Sequence, residues 1–483
     1  MANPRIKDLR GRDRRNFLRL VGAAGAAFAV ERSKVLDYVL DQGGSAMADT
    51  LCNTTNRSVH LIGGNGGAAW FQLLWPHLIM ADPNNFAKGY AYHAFGATSP
   101  VVGVNGHHDM LYGPEAPWME GGLPKPKRYV TAMMAGQDET HTQTPITPAV
   151  VASNASMLGT VASIQRATPC LLPVIGVQPV NLGDAPGAPA MATVPDATGM
   201  VELFNSAASQ LTLLADEDKA LYETYYKAIL GVREASGRPT YRRHLETGKT
   251  AANLIGRNLA AQLMPSQQDL TSYGVVALAQ TLGANDVATT KLTNVAKALA
   301  TAAKAFKLGL TNCVIIALSP GATSEQLFVD PHDAPNNMTR ITATCTAFGQ
   351  MLNAFYNELG LYDDPSCNGT KLADSTIMTF HGDTPHTPLQ FSAWPDATPA
   401  SSNWMYVMSN GYLKAGWFGR VKEDKNSSDG FDPTTGALVE GKKSVETSTA
   451  AGAAVAYAVA KGDIAKVKEY YSGPAIDGLI NKG

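Results

Sequence analysis

The chain has 483 residues, 45% of them apolar and 17% charged, with a formal net charge of −2. That apolar share is enough for a sizeable core and excludes disorder as the main state. The length allows two to four domains, or one large α/β domain with insertions. No run of 18 or more apolar residues occurs, which excludes a membrane-spanning helix. The near-neutral charge argues against nucleic acid as the main partner.

Residues 1–29 read as a targeting segment. Arg5, Lys7, Arg10, Arg12, Arg14 and Arg15 make a basic start, and a small-residue run follows at 22–29. The string from Asp13 to Arg19 resembles the twin-arginine export signal of bacteria. Ala27-Phe28-Ala29 fits a small-x-small cleavage site. The expected location is periplasmic or secreted, with the twin-arginine export machinery as a partner. Cutting after Ala29 removes seven Lys/Arg and two Asp and takes the formal charge from −2 to −7.

Short apolar runs ending in glycine or loop residues predict strands at 58–62, 129–135, 170–177, 312–318, 375–380 and 404–408. Several are near-continuously apolar, the pattern of strands covered on both faces in a parallel sheet. Between them, 200–264 reads as helical in three pieces and 290–308 as an Ala- and Lys-rich helix. Ile341, Cys345, Phe348, Leu352, Phe355 and Leu359 recur at steps of three and four, an amphipathic stripe. Residues 183–199, rich in Gly, Ala and Pro, read as a surface loop. The polar stretch 422–447 reads as an exposed excursion, and 445–479 as a helical tail that packs late. The expected organisation is a signal at 1–29, an α/β domain in two parts at 57–183 and 311–421, a helical insertion at 184–310, and an excursion with a C-terminal helix at 422–483.

Five cysteines are scattered with no C-x-x-C, so neither a zinc ribbon nor a thioredoxin-like motif is present. Cys313 and Cys345 sit in apolar runs and read as buried small hydrophobes. Cys52 and Cys367 lie in polar stretches and are a candidate pair after export.

In open α/β sheets ligands bind beyond the carboxyl ends of strands, and four such places carry chemistry. Gly63-Gly64-Asn65-Gly66-Gly67 follows the first strand. Gly64, Asn65 and Gly66 there can bring backbone close to a ligand, or form a tight turn. The loop is neither a dinucleotide fingerprint nor a P-loop. Thr140-His141-Thr142-Gln143-Thr144-Pro145 offers Thr142 or Thr144 as a nucleophile at a helix start, or as an N-cap. Asp330-Pro331-His332-Asp333 sets a carboxylate and an imidazole two residues apart, as ion ligands or as an Asp/Pro turn. His381-Gly382-Asp383-Thr384-Pro385-His386 gathers two imidazoles and a carboxylate at a strand end. Such oxygen and nitrogen donors suit Zn²⁺, or Mn²⁺ and Fe²⁺ where more carboxylates join. His107-His108-Asp109 lies in a Gly/Pro-rich loop facing solvent, and His60 reads as a satisfied core histidine.

The order of these pieces resembles a large family of twin-arginine-exported bacterial proteins in the alkaline phosphatase/sulfatase-like superfamily. Asp330 and His332 fit its Asp-x-His pair, and Gly382, Thr384 and Pro385 its Gly-x-Thr-Pro core. Asn410-Gly411 and residues 416–419 fit its closing glycine pattern. The resemblance implies a three-layer sandwich with a mostly parallel central sheet and a helical insertion. It also implies two metal ions that activate a Ser/Thr nucleophile on a phosphate or sulfate ester. Asn65 and Phe380 stand where that family has acidic ligands, Asp383 replaces its arginine, and Thr398 to Ser402 lack its Asp-His pair. What is left is Asp330, His332, His381 and Asp383, with His386 in reserve, for one divalent ion: Zn, Mn or Ca. The expected function is an exported protein with a depleted metal site, acting as a binding or structural component with a second copy or an exported partner. The alternative is a metal-dependent phosphate- or sulfate-ester hydrolase.

Overall fold

The structure, a computed structural model, describes residues 54–63, 74–75, 101–104, 110–112, 130–135, 149–151, 155–166, 170–178, 180–205, 258–318, 334–381, 404–421 and 428–482, with Cys52 and Thr168. The chain divides into two compact units; in one of them the described residues are 170–172, 198–205 and 258–264, and the other carries the rest.

The fold is α/β around an eight-stranded sheet. Its strands are β1 (Arg57–Ile62), β2 (Val130–Met134), β3 (Leu172–Val177), β4 (Met191–Val194), β5 (Thr311–Ala317), β6 (Thr376–His381), β7 (Trp404–Met408) and β8 (Gly416–Phe418). Their order across the sheet is β8-β2-β7-β6-β1-β5-β3-β4. β1 runs parallel to β5 and β6, β3 to β4, and β2 to β8, while β7 is antiparallel to both β6 and β2. The sheet is therefore mostly parallel, and β1, β2, β5 and β6 all end on one edge. The described helices are α1 (Met157–Gln165), α2 (Ala197–Leu203), α3 (Leu259–Leu263), α4 (Gln267–Ser272), α5 (Val275–Leu282), α6 (Val287–Lys307), α7 (Ala334–Leu361), α8 (Ser444–Val459) and α9 (Ile464–Lys468). Among the described residues no helix is long and apolar enough to cross a membrane.

All six predicted strands are present, with ends shifted by two residues at most. Their side chains alternate between two helical faces. Ser58 meets Gln165 at the end of α1, whereas Phe380 on β6 meets Phe348 of α7. The predicted stripe is that second contact: Cys345, Phe348, Leu352, Phe355 and Leu359 are all buried, and α7 packs beside α6. α6 starts where the Asp286 carboxylate accepts the Ala288 N–H at 2.9 Å, and it carries Lys304 and Lys307 in its last turn. Both features match the helix dipole.

Two expectations are corrected. The stretch 183–199 is not all surface loop, because Met191–Val194 joins the sheet as β4, paired in parallel with β3. Short and half-exposed, this edge strand lacks the apolar run that marked the others. The excursion 422–447 is not wholly exposed. A small sheet of β9 (Arg420–Val421), β10 (Ser428–Phe431) and β11 (Leu438–Val439) runs through it. Asp429 of β10 is buried because Arg420 and the Gly441 N–H both donate to it, and Phe431 packs edge-on against Phe418. The tail packs into the core. Every residue of α8 from Ala450 to Val459 is buried, as expected of a helix apolar on all sides, and the Thr447 hydroxyl donates to the Met134 carbonyl of β2.

A disulfide joins Cys52 to Cys367 across 315 residues of sequence. Cys170, Cys313 and Cys345 are buried and take no part in a disulfide. Such a long loop gives the cross-link a large effect on the unfolded chain. Cys367→Ser is expected to cost about 2–4 kcal/mol of stability, read as a lower urea midpoint, and the variant should respond to reductant no further.

Candidate functional site

The carboxyl edge of the sheet gathers the points from which the candidate loops depart. β1 ends at Ile62, which pairs with Ala317 of β5 on one side and His381 of β6 on the other. Backbone bonds continue past the strand ends: the Gly63 N–H donates to the His381 carbonyl and the Leu318 N–H to the Ile62 carbonyl, both at 2.8 Å. β2 ends at Met134 on the same edge, opposite the first residue of β7, Trp404. The glycine loop follows β1, the Asp330/His332 stretch follows β5, the His381 motif follows β6, and the Thr142/Thr144 stretch follows β2. The β5, β1 and β6 ends span two strand spacings, about 10 Å.

Of the predicted site residues, His381 is described. Thr142, Thr144, Asp330, His332, Asp383, His386, Gly64, Asn65 and Gly66 lie outside the described residues, as do His107, His108 and Asp109. Among the described residues no three His, Cys, Asp or Glu side chains converge to hold a metal ion.

His381 is buried, and among the described residues neither ring nitrogen has a hydrogen-bond partner. Burial pushes its pKa down to about 4, so the ring is a neutral imidazole with a lone pair to give. An orphaned buried polar group is costly unless a ligand, ion or water completes it. Its donor chemistry therefore fits one corner of an ion site, or a base.

Phe380, one residue earlier, points to the other face. Its ring stacks on Tyr406 at 4.8 Å and meets Phe348 edge-on at 6.3 Å. Tyr406 in turn meets Trp417, and Trp417 meets Trp404, each edge-on. The position where the resemblance sets an acidic ligand is thus part of an aromatic row against α7.

On the His381 face a buried polar lane runs down β1. The His60 ring bonds Thr379 at 2.7 Å through Nδ1 and Ser58 at 2.9 Å through Nε2. Gln165 of α1 donates to Ser58, to the Asn56 carbonyl and to the Asn312 carbonyl. Burial, reinforced by the nearby His381, lowers the His60 pKa to about 3. His60 is satisfied and in the core, as its sequence context suggests. Its closeness to His381 has no sequence signal, since 321 positions separate them and only strand pairing joins them. Burial also pushes the Cys313 thiol up to about 12, which makes it inert.

His60 sets an acid sensitivity. Its folded pKa is depressed, so below about pH 6.5 the unfolded chain takes up a proton that the folded chain refuses until about pH 3. Stability falls with acidification across that window at about 1.4 kcal/mol per pH unit. His60→Gln is expected to flatten the pH dependence by that slope between pH 6 and 4. Urea titrations at each pH measure it, and parallel wild-type and variant curves would contradict it.

The closing glycine pattern has a backbone reason. Asn410, Gly411, Gly416 and Gly419 all have positive φ. A Cβ at Gly419 would lie 2.9 Å from that of Met134 and 3.1 Å from the Asp429 carbonyl oxygen. Glycine alone lets this turn pass between β2 and β10.

No family model, curated protein or solved structure matches the chain.

Proposed function

We propose that this chain is an exported protein of the alkaline phosphatase/sulfatase-like type that has kept the three-layer scaffold while losing most of its ion-binding side chains, and that it works as a binding or structural component. The observation that carries this reading is Phe380. At the position where the resemblance sets an acidic ligand stands a ring buried in an aromatic row, which supports the loss of that ligand. The four candidate loops leaving one sheet edge and the glycines of positive φ at the closing motif support the scaffold part. The Cys52–Cys367 disulfide supports export, because such bonds persist in oxidising compartments.

A second reading, a metal-dependent phosphate- or sulfate-ester hydrolase, is favoured by the two nitrogens of His381 that lack a partner among the described residues. Asp330, His332, Asp383 and His386 would join His381 around one divalent ion, and Thr142 or Thr144 would attack the ester. The ion would supply Lewis-acid polarisation of the ester oxygen.

Metal analysis and turnover of p-nitrophenyl phosphate and p-nitrophenyl sulfate separate the two. The expected outcome is less than one bound ion per chain and no turnover above a His381→Ala control. A stoichiometric ion with turnover lost in His381→Ala would establish the hydrolase instead.

A further inference from the structure

A cleft of about 320 Å³ opens at the same sheet edge, two strands from β6, between the ends of β3 and β5 and the first turns of α6. Its two sides differ. The strand ends supply an apolar wall from Val177, Ile316, Ala317 and Leu318. The rest of the lining is mixed: Gln178, Asp196, Asn285, Thr290, Lys291 and Asn294 are polar, and Val287 and Val295 of α6 add two apolar side chains. Gln178, Asp196, Lys291 and Asn294 are half-buried, while Asn285 and Thr290 are exposed on the rim.

The residue where β3 opens into the cleft is strained. Gln178 has φ +74°, a left-handed conformation that glycine adopts at little cost and glutamine does not. Its N–H is held by the Val194 carbonyl at 2.7 Å, so the neighbouring strand fixes the backbone there. Strain kept on a long amide side chain at a cleft wall is the kind that persists where the side chain has a task.

The lining selects among ligand classes. Asp196 and Lys291 bring one charge of each sign, so the wall carries no net charge and favours neither a lone anion nor a lone cation. Three amides and a hydroxyl, from Gln178, Asn285, Asn294 and Thr290, can each both donate and accept. Groups of that kind pair best with hydroxyls, which also do both. An ammonium would use only their acceptors and a carboxylate only their donors. A pyranose ring adds an apolar C–H face that fits the strand-end wall. The volume is at the lower end for ligand pockets, about 300–1,000 Å³, which suits a monosaccharide better than a dinucleotide.

From these observations we infer that the cleft binds a monosaccharide-sized polyhydroxylated molecule, with the ring's apolar face on the β3 and β5 ends and its hydroxyls on Gln178, Thr290 and Asn294. The site needs no metal ion and no ester chemistry, so it stands or falls apart from the reading proposed above.

Calorimetry and ligand-observed NMR on the full chain test it, with D-glucose, D-galactose and D-mannose as probes and glycine and L-glutamate as zwitterionic competitors. At least one hexose should bind with a Kd of about 1 mM or tighter. Asn294→Leu and Thr290→Val, both on an already well-formed helix, should each weaken it about tenfold while leaving the melting temperature in place. Absence of hexose binding, binding unchanged in both variants, or preferential binding of the amino acids would each overturn the assignment.

Discussion

Arg57→Met is expected to lower the free energy of unfolding by about 3–5 kcal/mol at pH 7. Arg57 and Asp364 form a buried ion pair at 2.8 Å, their side chains 4% and 0% exposed. Asp364 also accepts from the Ser375 hydroxyl at 2.6 Å and from the Ser366 N–H and hydroxyl. Burial alone would raise the Asp364 pKa. The Arg57 charge and the hydrogen bonds from Arg57, Ser366 and Ser375 overcome that and hold it below the usual carboxylate value. In the wild type, then, this group's contribution is present above its unfolded pKa and is lost as pH falls through the folded one. Removing Arg57 leaves the carboxylate buried without its counter-charge, and burial then raises its pKa. The deficit of Arg57→Met should therefore be largest near neutrality and shrink towards pH 4. Urea unfolding at pH 7, 5.5 and 4 reads this directly, and a deficit that stays constant or grows on acidification would refute it.

Phe380→Ala is expected to cost about 3–5 kcal/mol, the range for deleting a buried aromatic side chain. Phe380 touches the sheet through Tyr406 and α7 through Phe348, so the cavity would open where β6, β7 and α7 meet. Phe380→Asp should be worse still, since it puts a carboxylate among rings with no partner. This variant also tests the functional reading. If Phe380 merely fills a ligand position that remains otherwise furnished, the acidic variant should fold and take up a divalent ion. If the position now belongs to the core, the variant should unfold well below the wild-type temperature and bind no ion. Differential scanning calorimetry with and without Zn²⁺ or Mn²⁺ distinguishes the two.

Some of this was legible in the sequence because the relevant physics is local. Strands covered on both faces leave near-continuous apolar runs, so β1, β2, β3, β5, β6 and β7 could be read directly. Period-3.6 stripes marked α7, and polar context singled out Cys52 and Cys367. The signals failed where burial depends on partners far along the chain. β4 is short and half-exposed, and only its pairing with β3 makes it a strand. Asp429 and Phe431 sit in a polar stretch, yet Arg420 and Phe418 draw them inward. The six polar residues around the β3/β5 cleft come from three separate segments and carry no common motif.

By itself the sequence determined the alternation of elements and the cluster of chemistry-bearing residues after strand ends, because backbone propensity and hydrophobic period act over a few residues. Only the tertiary structure decided that β1, β5, β6 and β2 end on one edge, that His381 faces one side of the sheet while Phe380 faces the other, and that His60 lies near His381. Those facts follow from strand order and register, in which a shift of one residue exchanges the two faces, and no local pattern encodes which distant strand will be the neighbour.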